Sequence, residues 1–350
     1  NYLIKPIDTL NEGIPENIKT LIVASPAEEL TPWDLYQIDQ YIMKGNSVAF
    51  FIDTHTEVFA ENKNPYNPQP PVYVPRVTGL EELIKHYGVE ISSSYVLDVN
   101  CYKQIGRNAA GGLAETTFYF APEILAENIN RKLPFLKNIK GLIMLNASPL
   151  VIDQNSDQTK KIEVLFSSSD ASWEMTENIN LYNPMVIYPP AEENRDKYPL
   201  AALIEGNISS YFKGKEIPRK ELKEGEALIS SGAISVKETF IPKTNTGKVF
   251  VIGTSAVLTD NILDQTGTSP NSVFVYNILD KLNGRDDFAE MRSKGQTFNP
   301  LRETTPAERS FIKGFTVVGV PLLTVLSGLI AWLLWRSRKK KIELLFRRDV

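Results

Sequence analysis

The sequence is poor in the residues that build metal and disulfide sites, with one cysteine and two histidines among 350 residues. The single cysteine, Cys101, excludes an internal disulfide and a zinc site made of cysteines, and it leaves the redox compartment undecided. His55 and His86 lie on separate predicted elements, and neither belongs to a His-Glu-x-x-His motif. We therefore expect no metal and no cofactor.

Signals for nucleotides and nucleic acids are also absent. The chain has no Gly-x-x-x-x-Gly-Lys-Ser/Thr loop to bind phosphates, so we expect that it does not hydrolyse ATP itself. Its net charge of -4 and its pI near 5.5 provide no general positive field, so nucleic acid is not expected as a partner. The sequence opens at Asn1 without the pattern of a signal peptide, and we interpret it as a fragment of a longer protein.

A long uncharged segment near the C-terminus predicts a transmembrane helix. Residues 314–335 carry no charge, and about 22 residues rising about 1.5 Å each suffice to cross roughly 30 Å of hydrocarbon. The alternative is a buried core helix, which would normally carry a polar stripe. Aromatic and basic side chains typical of a membrane interface end the segment. The predicted anchor residues are Phe315, Pro321, Trp332, Trp335, Arg336 and Arg338.

The charges that flank this segment predict its orientation. About seven Lys and Arg residues follow it and about three precede it closely, so the tail, residues 336–350, is expected in the cytoplasm. The large N-terminal part then lies outside the cytoplasm of a bacterium, tied to the inner membrane and periplasmic where the cell has two membranes. The basic tail is expected to attract anionic membrane lipid, and a docking site for a cytoplasmic partner is the alternative.

The first 53 residues predict a βαβ unit. The apolar run 19–24 is typical of a buried parallel strand, and residues 47–53 form a second such run. Between them, Thr31 and Asp34 have the spacing of a helix N-terminal capping box, and Gly45 is placed to end that helix. Strand, helix and strand with short joints favour an α/β fold with mostly parallel sheets, Rossmann-like or flavodoxin-like, built from βαβ units.

Further apolar runs predict the rest of the domain organisation. Thr78 and Glu81 form a second capping box, and a closing helix is expected over residues 273–282. Strands are expected at 95–98, 141–145, 162–166, 200–204 and 248–252. Residues 106–138 fit no element clearly. The expected divisions are a first α/β subdomain at 1–150, a second at 151–285, a stalk at 286–313, the transmembrane helix at 314–335 and the basic tail at 336–350.

Polar side chains follow several of the predicted strands, and in open α/β sheets ligands bind at the carboxyl ends of strands. Carboxylate and hydroxyl groups there can grip a polar ligand such as a sugar or a peptide. The alternative is that serine and threonine are loop and helix-capping residues at these positions. The candidate ligand-binding residues are Ser25, Asp53, Ser148, Ser167, Ser168, Ser169, Thr254 and Ser255.

A cysteine–histidine pair is the one catalytic arrangement that the sequence allows. Cys101 could work with His55 or His86, because such a pair needs only spatial proximity. Cys101 is flanked by Asn100 and Tyr102 where a nucleophile turn would have small residues, and a lone cysteine is more often a packing residue. We expect no catalytic residue.

Several segments taken in order resemble a known family. The first three are residues 22–26, with Ile-Val-Ala-Ser-Pro, 30–45 and 48–53. They are followed by 79–89, 165–169 with Leu-Phe-Ser-Ser-Ser, 251–255 with Val-Ile-Gly-Thr-Ser, and 292–295 ahead of the terminal helix. The sequence is similar along nearly its whole length to the auxiliary subunits of ABC transport systems typified by the gliding-motility protein GldG. Thr254 departs from that pattern, since an acidic residue is expected after the glycine.

This resemblance implies a non-catalytic extracytoplasmic subunit that works with a membrane permease and a separate cytoplasmic ATPase. In gliding bacteria it also implies a link to surface motility or to the associated secretion machinery. Two other interpretations stay open, a membrane-anchored hydrolase or amidotransferase-like enzyme and an envelope scaffold without a small ligand. The residues themselves name no transported substrate.

Overall fold

A computed structural model describes the chain in eight stretches. They are residues 2–7, 10, 13–59, 69–107, 112–153, 160–220, 239–294 and 306–346. The chain forms two compact units, Asn1–Asn299 and Pro300–Val350.

The larger unit is a mixed α/β structure. Its strands are β1 (Thr20–Ala24), β2 (Ser47–Phe51), β3 (His55–Val58), β4 (Val72–Pro75), β5 (Val89–Ile91), β6 (Tyr95–Asp98), β7 (Cys101–Arg107), β8 (Leu113–Leu125), β9 (Gly141–Ile143), β10 (Leu150–Ile152), β11 (Lys160–Ser167), β12 (Ser172–Met175), β13 (Pro199–Gly206), β14 (Ile208–Ser209), β15 (Lys243–Thr244) and β16 (Lys248–Ile252). Its helices are α1 (Pro32–Met43), α2 (Leu80–His86), α3 (Pro270–Leu282) and α4 (Asp286–Lys294). The strands and helices predicted from the apolar runs are present at the expected places.

The central sheet has five strands in the order β1-β2-β16-β13-β11. The β1–β2 and β2–β16 pairs are parallel, whereas β16–β13 and β13–β11 are antiparallel. The other sheets of the described chain have two or three strands. The expected mostly parallel, Rossmann-like sheet is therefore not confirmed. No α-helix connects β11 to β13 within the described residues, and parallel neighbours normally need such a crossover.

Strands from both halves of the chain share the central sheet. β1 and β2 precede residue 150, whereas β11, β13 and β16 follow it. The expected boundary between two subdomains at residue 150 thus runs through one shared sheet, and residues 1–299 form one compact unit.

Alternating side chains of β2 divide the core into two layers. Val48 and Phe50 face a cluster that includes α1 and α2, whereas Ala49 and Phe51 face a second cluster that includes Phe274 of α3. All five residues of β2 are buried, as expected for a strand covered on both faces. Helices thus pack on opposite faces of the sheet.

The capping box predicted for α1 is confirmed, whereas the one predicted for α2 is only partly formed. The Asp34 amide donates to Thr31 Oγ1 at 3.2 Å, and the Thr31 amide donates back to Asp34 Oδ2 at 3.1 Å. The N-cap of α2 is Gly79 rather than Thr78. The amide and hydroxyl of Thr78 both donate to Glu81 Oε1 at 2.9 Å, and Thr78 Oγ1 accepts from the Leu80 amide at 3.3 Å. Gly45 follows α1 with a φ of 90°, a left-handed conformation that glycine adopts at little cost.

Two regions differ from the sequence expectations or were left open by them. Much of residues 106–138 belongs to the antiparallel β7–β8 hairpin, and short 3₁₀ turns follow it. Residues 286–294, expected within a stalk, form helix α4, whose Ala289 is fully buried and whose Arg292 Nη1 lies 2.7 Å from Asp280 Oδ2. Residues 295–305 of the expected stalk lie outside the described residues.

The smaller unit contains a long apolar helical run. It consists of α5 (Pro306–Gly314), a π-helical turn (Phe315–Gly319) and α6 (Val320–Phe346). Residues 310–336 are long and apolar enough to cross a membrane, by length and composition. Pro321 lies two residues after the π-turn, and its missing amide is consistent with the interrupted hydrogen-bond pattern there. The hydroxyls of Thr316 and Thr324 donate to carbonyls one turn earlier, each at 2.7 Å, so they are satisfied within the helix.

Candidate functional site

Three of the predicted ligand-binding residues meet at the carboxyl edge of the parallel strands. Ser25 follows β1, Asp53 follows β2 and Ser255 follows β16, which are neighbours in the sheet. The Ser255 amide donates to Asp53 Oδ1 at 2.7 Å, and the Ser255 hydroxyl donates to Asp53 Oδ2. The Asp53 amide donates to Ser25 Oγ at 3.3 Å. We call Ser25, Asp53 and Ser255 the strand-end cluster.

Two further predicted residues lie beneath this edge. The Ser148 amide donates to the Gly253 carbonyl at 2.7 Å, and Ser148 Oγ lies 2.8 Å from Thr54 Oγ1. Thr254 Oγ1 donates to the Leu145 carbonyl at 2.7 Å. Ser148 and Thr254 are both fully buried, so they hold the loops under the cluster rather than facing solvent.

Arg76 is the member of the site that the sequence did not reveal. Its Nη1 donates to Ser25 Oγ at 2.6 Å and to the Ser25 carbonyl at 3.0 Å, while its Nε donates to Thr56 Oγ1 at 2.9 Å. Ser25 has a φ of 39°, a left-handed conformation that is uncommon for a residue other than glycine. Such strained residues cluster at functional sites, and here the guanidinium holds the strained turn in place.

His55, Tyr95 and Tyr73 form an aromatic group near the strand-end cluster, since His55 follows Asp53 by two positions. His55 Nδ1 lies 3.0 Å from Thr54 Oγ1, and its ring centroid is 5.3 Å from that of Tyr95. Tyr73 packs edge-on against Tyr95 with centroids 6.2 Å apart. Burial lowers the pKa of His55, so its neutral form is favoured in the folded chain. The site therefore combines one carboxylate, one guanidinium and several hydroxyls beside an aromatic wall, which suits a polar ligand.

The three serines at the end of β11 do not join this cluster. The Ser169 amide and hydroxyl donate to Asp98 at 2.8 and 2.6 Å, and Ser168 Oγ lies 2.6 Å from Ser172 Oγ. Asp98 is fully buried, and its burial raises the pKa of its carboxyl. Ser167 pairs with Pro199 in the central sheet. These groups satisfy one another and fix the antiparallel pair of β6 and β12, which indicates a structural role.

The candidate catalytic residues belong to different elements. Cys101 is buried at the start of β7, whereas His86 ends α2 with its Nε2 3.0 Å from the Ser209 carbonyl. His55 opens β3 and stacks on Tyr95. Among the described residues, no group of three or more His, Cys, Asp and Glu side chains is placed to hold a metal ion.

The predicted anchor residues lie on the apolar helical run. The Arg336 guanidinium is 5.2 Å from the Trp332 ring, and the Lys339 ammonium is 5.6 Å from the Trp335 ring. Phe315 begins the π-turn and stacks on Phe311. Cation–aromatic pairs one helical turn apart are suited to the boundary between lipid and water. Arg338, between the two cations, is a further basic residue typical of that boundary.

Residues 1–280 match the protein family described as "ABC-type uncharacterized transport system". The chain belongs to this family. The match covers well over half of the sequence and indicates an auxiliary protein of an ABC-type transport system. It confirms the resemblance to ABC auxiliary subunits at the level of the family, whereas the closer likeness to the gliding-motility protein stays a prediction.

Two individual proteins are similar to this member of the family. An "Uncharacterized protein" of Borreliella burgdorferi (strain ATCC 35210 / DSM 4680 / CIP 102532 / B31) is 25% identical over 354 residues, which cover 97% of this chain and 60% of that protein. The chain thus spans about 60% of the length of that relative. The solved "mmIFT52 N-terminal domain" is 12% identical with a TM-score of 0.38, over 76% of this chain and 77% of that one. A likeness of that size supports no conclusion about function.

Proposed function

We propose that this chain is a non-catalytic accessory subunit of an ABC transporter, anchored in the bacterial inner membrane by one helix, with its large domain outside the cytoplasm. In this proposal it works with a polytopic permease and a separate cytoplasmic ATPase. The observation that carries the proposal is the family match over residues 1–280. The link to gliding motility or to the associated secretion machinery belongs to the same proposal and is supported by the sequence resemblance.

The charge pattern supports the anchored arrangement. Residues 310–336 meet the length and composition of a membrane span, and the basic residues that follow them outnumber those just before. The sequence has no Gly-x-x-x-x-Gly-Lys-Ser/Thr loop, which supports assigning ATP hydrolysis to another subunit in this proposal. A large domain, one anchor and no nucleotide site fit a subunit that binds and couples.

The strand-end cluster supports a binding role for the large domain. Asp53 and Ser255 lie at the carboxyl edge of adjacent parallel strands, where open α/β sheets hold their ligands. Helices α1 and α3 pack on opposite faces of the sheet, the arrangement that accompanies ligand sites at strand ends in such folds. Arg76 and Ser25 add a cation and a hydroxyl. We include a polar ligand at this cluster in the proposal.

Co-purification tests the proposed partners. The tagged full-length protein is extracted from its own membranes in mild detergent, and mass spectrometry identifies the proteins that accompany it. We expect a permease and an ATPase in a fixed ratio. Recovery of the chain alone, or with envelope components only, would reject the transporter proposal in favour of the scaffold.

Cysteine labelling tests the proposed location. Lys213→Cys in the large domain and Lys339→Cys beyond the apolar segment are each placed in a Cys101→Ser background, since both lysines are exposed. In intact spheroplasts, a membrane-impermeant maleimide should label only the first variant, and both should react after lysis. Labelling of only the Lys339→Cys variant in intact spheroplasts would show the opposite orientation.

The non-catalytic part of the proposal has its own test. Cys101→Ala and His86→Ala remove the groups that a cysteine hydrolase or amidotransferase would need. We expect both variants to keep the wild-type ratio of permease and ATPase and to keep transport-dependent growth or motility. Loss of cellular function with an intact fold and intact partners would favour the enzyme instead.

A further inference from the structure

β1 is an open edge of the central sheet, whereas the opposite edge is covered. On the covered edge, Ile129 bridges to Phe166 of β11, and the Asn130 amide donates to the Leu165 carbonyl at 2.8 Å. β1 pairs with β2 on one side, and no other described strand pairs with it. An edge strand presents a row of free amides and carbonyls to which another chain can add.

The hydrogen bonds of β1 show which of its residues face outward. The Ser47 amide donates to the Lys19 carbonyl at 3.2 Å, and the Ser25 amide donates to the Phe51 carbonyl at 2.8 Å, so odd-numbered residues face β2. The even-numbered residues Thr20, Ile22 and Ala24 therefore direct their amides and carbonyls to the free edge. No hydrogen bond joins these groups to any other residue that the structure describes.

A large cavity lies beside the same three residues. It has a volume of about 1430 Å³, and Thr20, Ile22 and Ala24 form one of its walls. Val275 and Leu279 of α3 form another, and residues 2–7 near the N-terminus line the cavity as well. Ile22 is 39% exposed, and Thr20 Oγ1 is buried without a hydrogen-bond partner in the described chain. The sheet thus leaves apolar surface, free backbone groups and an unsatisfied hydroxyl together.

The free backbone groups of β1 and the apolar cavity beside them together indicate what kind of molecule binds there. An acyl chain or a small apolar ligand could fill the cavity, but it could not satisfy amides and carbonyls repeating along a strand. A peptide in extended conformation does both, because its backbone completes the ladder while alternate side chains enter the cavity. We infer that β1 accepts an extended segment of the permease, apolar at alternate positions, as an added strand beside this cavity.

Charge at the two ends of the cavity describes the segment further. Lys19 precedes β1, whereas Asp34 lies in the first turn of α1, which follows β1. Both line the cavity, together with Lys5 and Asp264. Hydrogen bonds from Ser272 and neighbouring residues hold the pKa of Asp264 well below its usual range, so it stays charged. The complementary segment carries an acidic residue at the Lys19 end and a basic residue at the other.

Amide exchange tests this inference, which rests on the proposed transporter function. Exchange is measured residue by residue for the full-length protein alone and in its co-purified complex. We expect the amides of Thr20, Ile22 and Ala24 to exchange at least ten times more slowly in the complex. Val151 on β10 has an exposed side chain and pairs with Glu90 of β5. Its amide is the control, and the exchange rate of that amide should not change.

A pair of substitutions separates backbone from side-chain binding. Ile22→Pro removes an outward amide without removing a hydrogen bond to β2, and proline is tolerated at such edge positions. Ile22→Thr keeps the amide and a β-branched side chain. We expect at least five times less permease to co-purify with the proline variant than with the wild type, at an unchanged unfolding temperature. The threonine variant should retain more than half of the co-purified permease.

The outcomes distinguish this inference from the proposed function. A complex whose β1 amides stay unprotected would overturn the added strand and leave the transporter function standing. Failure to recover any complex would reject both. Protection of the β1 amides in the chain alone would show that another occupant, such as residues 2–7, already fills the edge. An equal loss of co-purified permease with Ile22→Thr and Ile22→Pro would show that only side chains bind. Either result overturns the inference.

Discussion

The Asp53 carboxylate accepts hydrogen bonds from both the amide and the hydroxyl of Ser255, a residue 202 positions later in the chain. This contact joins the carboxyl ends of β2 and β16, the two inner parallel strands. Ser255 is the residue before the short 3₁₀ turn Ala256–Leu258, so Asp53 also holds the start of that turn. The same carboxylate that the sequence marked as a ligand group is thus a structural link of the strand-end cluster.

Substitution of Asp53 should lower stability measurably. Asp53→Ala removes two hydrogen bonds to a charged acceptor, and we expect the free energy of unfolding to fall by about 2–3 kcal/mol. Urea denaturation followed by tryptophan fluorescence measures this change. Asp260→Asn, at an exposed position, is the matched control and should stay within about 0.5 kcal/mol of the wild type. An unchanged midpoint for Asp53→Ala would show that the link contributes nothing.

Gly253 is required by a close approach of two backbone segments. A Cβ at this position would lie 2.0 Å from the Ser148 carbonyl oxygen, which is backbone and cannot move aside easily. We expect Gly253→Ala to cost about 3 kcal/mol or more, as other severe core lesions do. Gly106→Ala meets no atom within 4 Å and should change the unfolding midpoint little. Similar midpoints for the two variants would contradict the close packing under the strand-end cluster.

Tyr41 should make the folded domain sensitive to alkaline pH. Burial raises the pKa of Tyr41 to about 12 from an ordinary value of 10.0. Because the folded pKa is the higher one, the stabilisation is complete below about pH 10 and is lost as pH rises toward 12. Tyr41→Phe loses the hydrogen bond to the Ile18 carbonyl, but it has no phenol to titrate. Between pH 10 and pH 12 its unfolding free energy should therefore fall by up to about 3 kcal/mol less than that of the wild type. An equal fall in wild type, Tyr41→Phe and the exposed control Tyr188→Phe would contradict this assignment.

Charged residues in the middle of the apolar run should release the protein from membranes. Each lysine at the centre of a span costs about 2.5–3.5 kcal/mol on insertion scales, so Leu326→Lys with Ile330→Lys should shift the protein to the carbonate-soluble fraction. Thr324→Val removes only a hydroxyl that is satisfied within the helix and should stay membrane-bound. Carbonate extraction followed by immunoblotting distinguishes these outcomes. Resistance of the double-lysine variant would mean that the run does not span.

Local sequence signals predicted the elements that form from consecutive residues. The β1–α1–β2 unit follows from two apolar runs and the Thr31–Asp34 capping box, and all three parts are confirmed. The β7–β8 hairpin was not foreseen, since most of β8 is only half buried and gives no clean alternation of apolar and polar residues. The antiparallel place of β13 depends on pairing between distant strands, which no local pattern specifies.

The candidate site was predictable where it follows from strand ends. Ser25, Asp53 and Ser255 were found because parallel neighbours end at the same edge of a sheet. Arg76 was missed because it reaches Ser25 across 51 positions from a proline-rich segment that predicts no contact. Ser168 and Ser169 looked like ligand groups, but the buried Asp98 and Ser172 take up their hydrogen bonds. Strand-end position thus locates a polar residue without deciding what it binds.

The central claim is that this chain is an accessory subunit that couples to an ABC transporter, and the ATPase rate of that transporter tests it most directly. The permease and ATPase are reconstituted in lipid nanodiscs with and without the full-length chain, and ATP hydrolysis is measured in both. The account predicts that the chain alone hydrolyses no ATP and that its addition changes the rate of the transporter several-fold. An unchanged rate, with the chain verified to be in the same nanodisc, would contradict the coupling role.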